Sequence, residues 1–232
     1  MRSQSLLFIP VTCAALASFS CVKEPVTRTE FALGTVCSIT LFDGASKRTF
    51  DAAFSRIRDI ESSMSAHLPD SDIASVNKAA GKEAVAVSKD TAEVLSFALS
   101  MASRSDGAFD PTIGPVVQAW GIGTERETIP SPQLLAALLP LVDHTRVSLS
   151  VNEGLAYLET EGMGLDLGAI AKGFAADEVA KTLRSRGVSR AIIDLGGNIL
   201  VIGSKAKGKN WVVGIKDPES ALGEPIASIS LA

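Results

Sequence analysis

The chain has 232 residues, 46% hydrophobic and 21% charged, with a formal net charge of −4. That is enough apolar material for one large domain or two small ones with a real core, which argues against disorder. No dense run of Lys and Arg supplies the clustered cations that phosphate backbones require, so a nucleic-acid partner is not expected.

The first twenty residues differ from the rest. Arg2 precedes an apolar stretch from Leu6 to about Ala17, too short to cross a bilayer as a mature helix and suited to the h-region of a signal peptide. Residues 1–20 are therefore read as an export signal. The stretch ends at Ser18-Phe19-Ser20-Cys21, where a small residue directly before a cysteine resembles a relaxed lipoprotein processing site, with Ser18 standing where Leu is usual. Lipidation of Cys21 is the reading preferred over simple cleavage or an uncleaved anchor. With Cys13 removed and Cys21 acylated, Cys37 is left alone and no internal disulfide can form. Residues 21–30 then form a polar, Pro-containing tether, and residues 31–232 the folded domain.

Within that domain, Phe31 to Phe42 reads as a strand closed by an Asp43-Gly44 turn. Phe50, Ala53, Phe54, Ile57, Ile60 and Met64 fall at helical spacing. A second helix is expected behind Asp90, with Asp90 as cap and Glu93 reaching back, and with Val94, Leu95, Ala98, Leu99 and Ala102 on its apolar face. Ser131 and Pro132 signal a third helix carrying Leu134, Leu135, Leu138 and Leu139. Arg146 to Val151 and Leu155 to Glu159 look like a hairpin turned by Asn152-Glu153-Gly154, and Ala191–Leu195, Ile199–Ile202, Trp211–Ile215 and Ile226–Leu231 like further strands. Strands clustered with few intervening helices predict an α+β architecture, not a doubly wound parallel sheet.

Two segments break local rules and are where chemistry is expected. Ser105 to Pro115 is too rich in Gly and Pro for helix interior, yet carries apolar residues, so it reads as an ordered loop leading to Trp120-Gly121. Within it Pro111 holds Asp110 extended, which either aims its carboxylate outward or lets it cap the amides of Thr112 or Ile113. The second segment is Gly162 to Asp177. Here a strand-like Leu165-Asp166-Leu167 runs through Gly168 into a helix bearing Ala175, Val179 and Leu183 that stops at Gly187. A helix N-terminus favours an anion, and Lys172, read as lying in the first turn, adds a cation where an acid is usual. Either a phosphate sits there or Lys172 merely faces solvent. Walker and Rossmann spacings are absent.

Five motifs in order resemble the ApbE family: Leu33-Gly34-Thr35; Met64-Ser65 followed by Pro69-Asp70-Ser71 and Asn77; Ala108 to Pro115 with Trp120-Gly121; Asp166 to Gly173; and Gly196-Gly197-Asn198. The resemblance implies an α+β fold with antiparallel-rich sheets. It further implies an enzyme that binds FAD and a divalent metal, usually Mg2+, splits the pyrophosphate and passes FMN to a threonine hydroxyl of a partner protein, releasing AMP. By motif position Asp166 and Lys172 would contact FAD, and Leu33 with Ala108, Phe109 and Asp110 would line the nucleotide. His67 would stack on a ring of FAD, or is simply a surface residue. The backbone carbonyl of Ala169 would bind the metal, and Gly196-Gly197 either passes close to the nucleotide or makes a tight hairpin. No catalytic side chain is assigned. With the leader, the resemblance implies a flavin-handling lipoprotein on the periplasmic face of the inner membrane.

The family completes its metal site with a late His-x-Ile-Asp-Pro-x-Thr-Gly type motif, and the sequence stops at Ile229-Ser-Leu-Ala232 without it. A domain incomplete at its C-terminus is therefore expected. Two other readings stay open: a metal-dependent FAD pyrophosphatase giving FMN and AMP in solution, and a non-catalytic FAD-binding lipoprotein.

Overall fold

A computed structural model describes residues 24–122, 124–205, 208–220 and 223–231; the leader and Cys21 lie outside them. Strands β1 (Val26–Ala32) and β2 (Thr35–Leu41) pair antiparallel, with Ala32 opposite Thr35. The single strand expected from Phe31 to Phe42 is thus a hairpin with its bend at Leu33-Gly34, and the second half of the supposed tether is β1. The reason is that β1 is an edge strand: only Ala32 is fully buried, and its threonines bond across the pair, Thr27 to Thr40 and Thr29 to Ser38, each at 2.8 Å. A polar sequence can form such an edge because one side and one face remain open to water.

β2 pairs with β6 (Ala191–Leu195), and β6 with β7 (Asn198–Ile202), giving the order β1-β2-β6-β7. The register sets Cys37, Ile39 and Leu41 opposite Leu195, Ile193 and Ala191, and all six are fully buried. Strand periodicity of two sends these side chains to one face. That face meets α1 (Lys47–Met64), started by Ser46 accepting from the Thr49 amide, and α6 (Gly168–Ser185). Every α1 position that the helical spacing singled out is buried. The buried stripe of α6 is rich in alanine (Ala171, Ala175, Ala176, Ala180), which lets the two helix backbones approach closely.

Between these helices come α2 (Asp72–Lys78), α3 (Lys89–Arg104), α4 (Gly114–Trp120) and α5 (Pro132–Leu138). The α3 cap differs from expectation: Ser88 accepts the Thr91 amide, while Asp90 sits in the first turn and pairs with Arg56. Arg56 also holds Glu178 at 2.6 Å, so one guanidinium ties α1, α3 and α6 together. A small sheet, β3 (Val85–Ala86), β5 (Leu155–Leu158) and β4 (Val147–Ser150), contains the expected hairpin, and β8 (Trp211–Lys216) pairs with β9 (Pro225–Leu231). All sheet pairings are antiparallel, and the architecture is α+β as expected.

Residues 165–167 belong to none of these sheets. They cross the core, with Leu165 and Leu167 fully buried, and the residue before them, Gly164, makes an isolated parallel bridge with Ile113.

Candidate functional site

The end of α1, the bend of the first hairpin and the start of α6 enclose a cavity of about 400 Å³. Small-molecule sites occupy roughly 300–1,000 Å³. Four of the residues that the sequence singled out converge here: Leu33, His67, Asp166 and Lys172. Each arrives by a different device.

Leu33 has φ of 52°, the left-handed region that a residue with a Cβ adopts at a cost of about 1–2 kcal/mol. The β1–β2 register demands that bend, so the chain sets a leucine against the cavity where glycine would be the relaxed choice. His67 is exposed at the rim, in the turn after α1 where Ser65 Oγ accepts the His67 and Leu68 amides at 3.2 and 3.3 Å.

Asp166 lies just before α6. Its Oδ1 accepts the Gly168 amide at 2.7 Å, so half of this carboxylate caps the helix and the other oxygen remains to meet a ligand donor. Lys172 is the fifth residue of α6 and therefore in its second turn, not its first. Its ammonium pairs with no carboxylate among the described residues. Its carbonyl accepts from Asn198 Nδ2 at 3.3 Å, which ties the Gly196-Gly197 turn to the same helix. That turn has φ of 65° and 91° at its glycines and does not line the cavity.

The cavity is completed by Ser65, Gly168 and Ala171, which lie in the motifs without having been assigned a contact, and by Glu61, which sequence reasoning passed over. Glu61 sits one helical turn before Ser65, so the Met64-Ser65 motif read back along the helix period would have found it. Glu61 and Asp166 supply acceptors, Lys172 a cation, and Leu33 with Met64 an apolar wall. A site of this composition suits a ligand with a flat apolar part, donor groups and an anionic part.

Ala108, Phe109 and Asp110 are not brought into this cavity. Asp110 is engaged elsewhere: Oδ1 accepts the Thr112 amide at 2.8 Å and hydroxyl at 2.6 Å, and Oδ2 accepts the His144 amide and meets His144 Nδ1, both at 3.0 Å. Its side chain is 8% exposed. The capping alternative describes it, and the loop it locks backs the 164–166 segment through Pro111 O, which accepts the Asp166 amide at 2.8 Å.

Ala169 is the second residue of α6 and exposed. Among the described residues no group of three or more His, Cys, Asp or Glu side chains converges on a point that could hold a metal ion. One carbonyl falls far short of the six oxygens that Mg2+ demands, so these residues do not by themselves form a magnesium site. Cys37 is the free cysteine among the described residues; it is fully buried, and that burial pushes its thiol up. A second hollow of about 550 Å³ runs open to solvent beside Lys82, Glu83 and Tyr157, and no residue of the five motifs lies in it.

The model of the ApbE family matches residues 33–232. The chain is 35% identical to an FAD:protein FMN transferase of Treponema pallidum, over 88% of this chain and 61% of that protein. It is 33% identical to one of Klebsiella pneumoniae, over 77% of this chain and 54% of that one. It thus spans less than two thirds of the length of these curated relatives. Among solved structures, the ApbE protein of Thermotoga maritima superposes with a TM-score of 0.79 at 28% identity, covering 90% of this chain and 68% of that one. The flavin transferase ApbE of Vibrio cholerae gives a TM-score of 0.77 at 25% identity, covering 89% of this chain and 67% of that one.

Proposed function

The chain belongs to the ApbE family, and from that premise we propose that it binds FAD in the cavity between Leu33 and Lys172 and transfers the FMN half to a threonine hydroxyl of a target protein. The observation that carries this is the convergence of Leu33, His67, Asp166 and Lys172, drawn from three separate motifs, on one cavity.

The threonine oxygen forms a bond to the flavin-side phosphorus, the bridging P–O bond breaks, AMP leaves with the electron pair, and the hydroxyl proton passes to solvent. The chain's own residues have defined parts in this reading. The free ammonium of Lys172 offsets diphosphate charge, which a low-dielectric cavity makes worth more than in water. Asp166 accepts from ligand hydroxyl or ring N–H groups with its uncapped oxygen and, being anionic, keeps the phosphates toward Lys172. Leu33 and Met64 pack against a ring, and His67 at the rim is placed to cover it. Mg2+ belongs to the family expectation, but the described residues do not complete its ligand set.

Incubating the chain with FAD, with and without Mg2+ and a threonine-containing acceptor protein, and separating the products tests the proposal. Equimolar AMP and protein-bound FMN are expected. Free FMN with AMP would establish the pyrophosphatase instead, and FAD binding without products the non-catalytic reading. Export and anchoring through Cys21 at the periplasmic face of the inner membrane is part of the same proposal; Cys21→Ala should then move the protein from the membrane to the soluble fraction.

A further inference from the structure

We propose that Asn77 is a positioning residue for this site, its side-chain amide standing in for the neighbouring strand that residues 164–166 lack; this rests on the FAD reading of the cavity. The segment is buried but joins no sheet, so its backbone groups must find partners elsewhere. Gly164 O accepts the Gly114 amide at 3.0 Å, and the Asp166 amide donates to Pro111 O at 2.8 Å. Among the described residues Leu165 has no backbone partner. Instead its N–H donates to Asn77 Oδ1 at 2.6 Å, and its carbonyl accepts from Asn77 Nδ2 at 2.9 Å.

A planar carboxamide offers an acceptor and a donor side by side, which is what one residue of a β-ladder offers. The consequence reaches Asp166. The peptide plane joining Leu165 to Asp166 is gripped at both ends, its oxygen by Asn77 and its nitrogen by Pro111. With that plane fixed, rotation about the Asp166 N–Cα bond is what is left to turn its side chain, and the bond from the Gly168 amide to Oδ1 restrains that rotation. Asn77 does not line the cavity, so it acts through Asp166 and not on the ligand. Its helix, α2, is itself held at the other end, where Ser71 Oγ donates to Ser65 O at 2.5 Å, beside the cavity wall.

The replacements sort by chemistry. Leucine has nearly the same shape and neither bond. Ionised aspartate can accept from the Leu165 amide but cannot donate to its carbonyl, and a protonated carboxyl restores both roles. The experiment compares wild type, Asn77→Leu, Asn77→Asp and, as a packing control in the same helix, the buried Ile73→Val. Two readouts are taken on folded protein: FAD affinity, and amide hydrogen exchange across residues 162–168 without ligand.

We expect Asn77→Leu to weaken FAD binding about tenfold or more and to speed exchange in 162–168 by a similar factor, with α1 amides unchanged. Ile73→Val should leave FAD affinity within about twofold at a comparable loss of melting temperature. Asn77→Asp should be weak near pH 8 and recover toward wild type as pH falls toward the carboxyl range, roughly pH 4–5. Should Asn77→Leu not fold, the pH recovery of Asn77→Asp decides the matter. Unchanged exchange in 162–168 overturns the proposal. Wild-type FAD affinity in a folded Asn77→Leu overturns it while leaving the FAD reading intact, whereas wild type that fails to bind FAD overturns both.

Discussion

The two segments rich in glycine, 105–115 and 162–173, present the same residue types and have opposite fates. Each carries an aspartate that could serve a ligand. Asp110 has both oxygens occupied by Thr112 and His144 and lies outside the cavity, whereas Asp166 uses one oxygen to cap α6 and keeps the other at the cavity wall. A carboxylate in a glycine-rich loop is thus told apart by counting its partners. The first loop is a buttress, and under the FAD reading the second is the working surface it supports.

The largest effect should come from the point where the two segments meet. A Cβ placed on Gly114 would lie 2.6 Å from Gly164 O and 2.8 Å from Gly164 C, and both are backbone atoms that cannot swing aside. Gly114→Val should therefore cost about 3 kcal/mol or more in urea unfolding and abolish FAD binding, since overpacking a buried contact typically costs 1–3 kcal/mol even where neighbours can yield. A mild loss would mean that the two segments are not rigidly coupled. Asp110→Ala comes next: removing an acceptor of four bonds from a side chain 8% exposed should cost about 2–3 kcal/mol in the same assay. Its FAD affinity, measured where the protein is still folded, should fall much less than that of Asp166→Ala. Equal losses of affinity would erase the distinction between buttress and working surface.

A smaller effect tests the frame beneath both loops. Burial works against ionising Glu178, but its bonds to Lys181 and Arg56 outweigh that and hold the carboxyl below the ordinary glutamate range. A depressed folded value means that this stability is present above the unfolded value and is lost as pH falls through the folded one. Thermal melts should therefore show stability decreasing below about pH 4. Replacing Arg56, which also binds Asp90, by Met should flatten that fall while costing about 1–2 kcal/mol at neutral pH, a modest figure for a partly exposed pair. The smallest change is expected at Leu33. Leu33→Gly removes left-handed strain and should leave stability unchanged or raise it by up to about 1 kcal/mol, yet weaken FAD binding by loss of the apolar wall.

How much of this could be read in advance follows the same physics. The long amphipathic helices α1 and α6 and the inner-face strands β2, β6 and β7 were legible because their burial repeats at 3.6 or 2 residues. β1 was not, because an edge strand with one buried residue has a polar sequence, and α2 was not, because seven residues are too few for a period to show. Leu33, His67, Asp166 and Lys172 were found through motifs that resemble a known family, and the cavity unites them. Glu61 escaped because it lies outside the Met64-Ser65 motif, and only reading one helical turn back from Ser65 brings it to the same cavity. The role of Asn77 escaped because it depends on a partner 88 residues away in sequence.

The most direct test of the central claim, that the cavity beside α6 receives FAD, is an FAD titration of wild type, Asp166→Ala and Lys172→Ala at low and moderate salt. Wild type should bind saturably with an affinity that weakens with salt, Asp166→Ala should lose about tenfold or more, and Lys172→Ala should show both a loss of affinity and a shallower salt dependence, because the cation facing the diphosphate has gone. Binding by all three proteins with equal affinity and equal salt dependence would place the nucleotide elsewhere and contradict it.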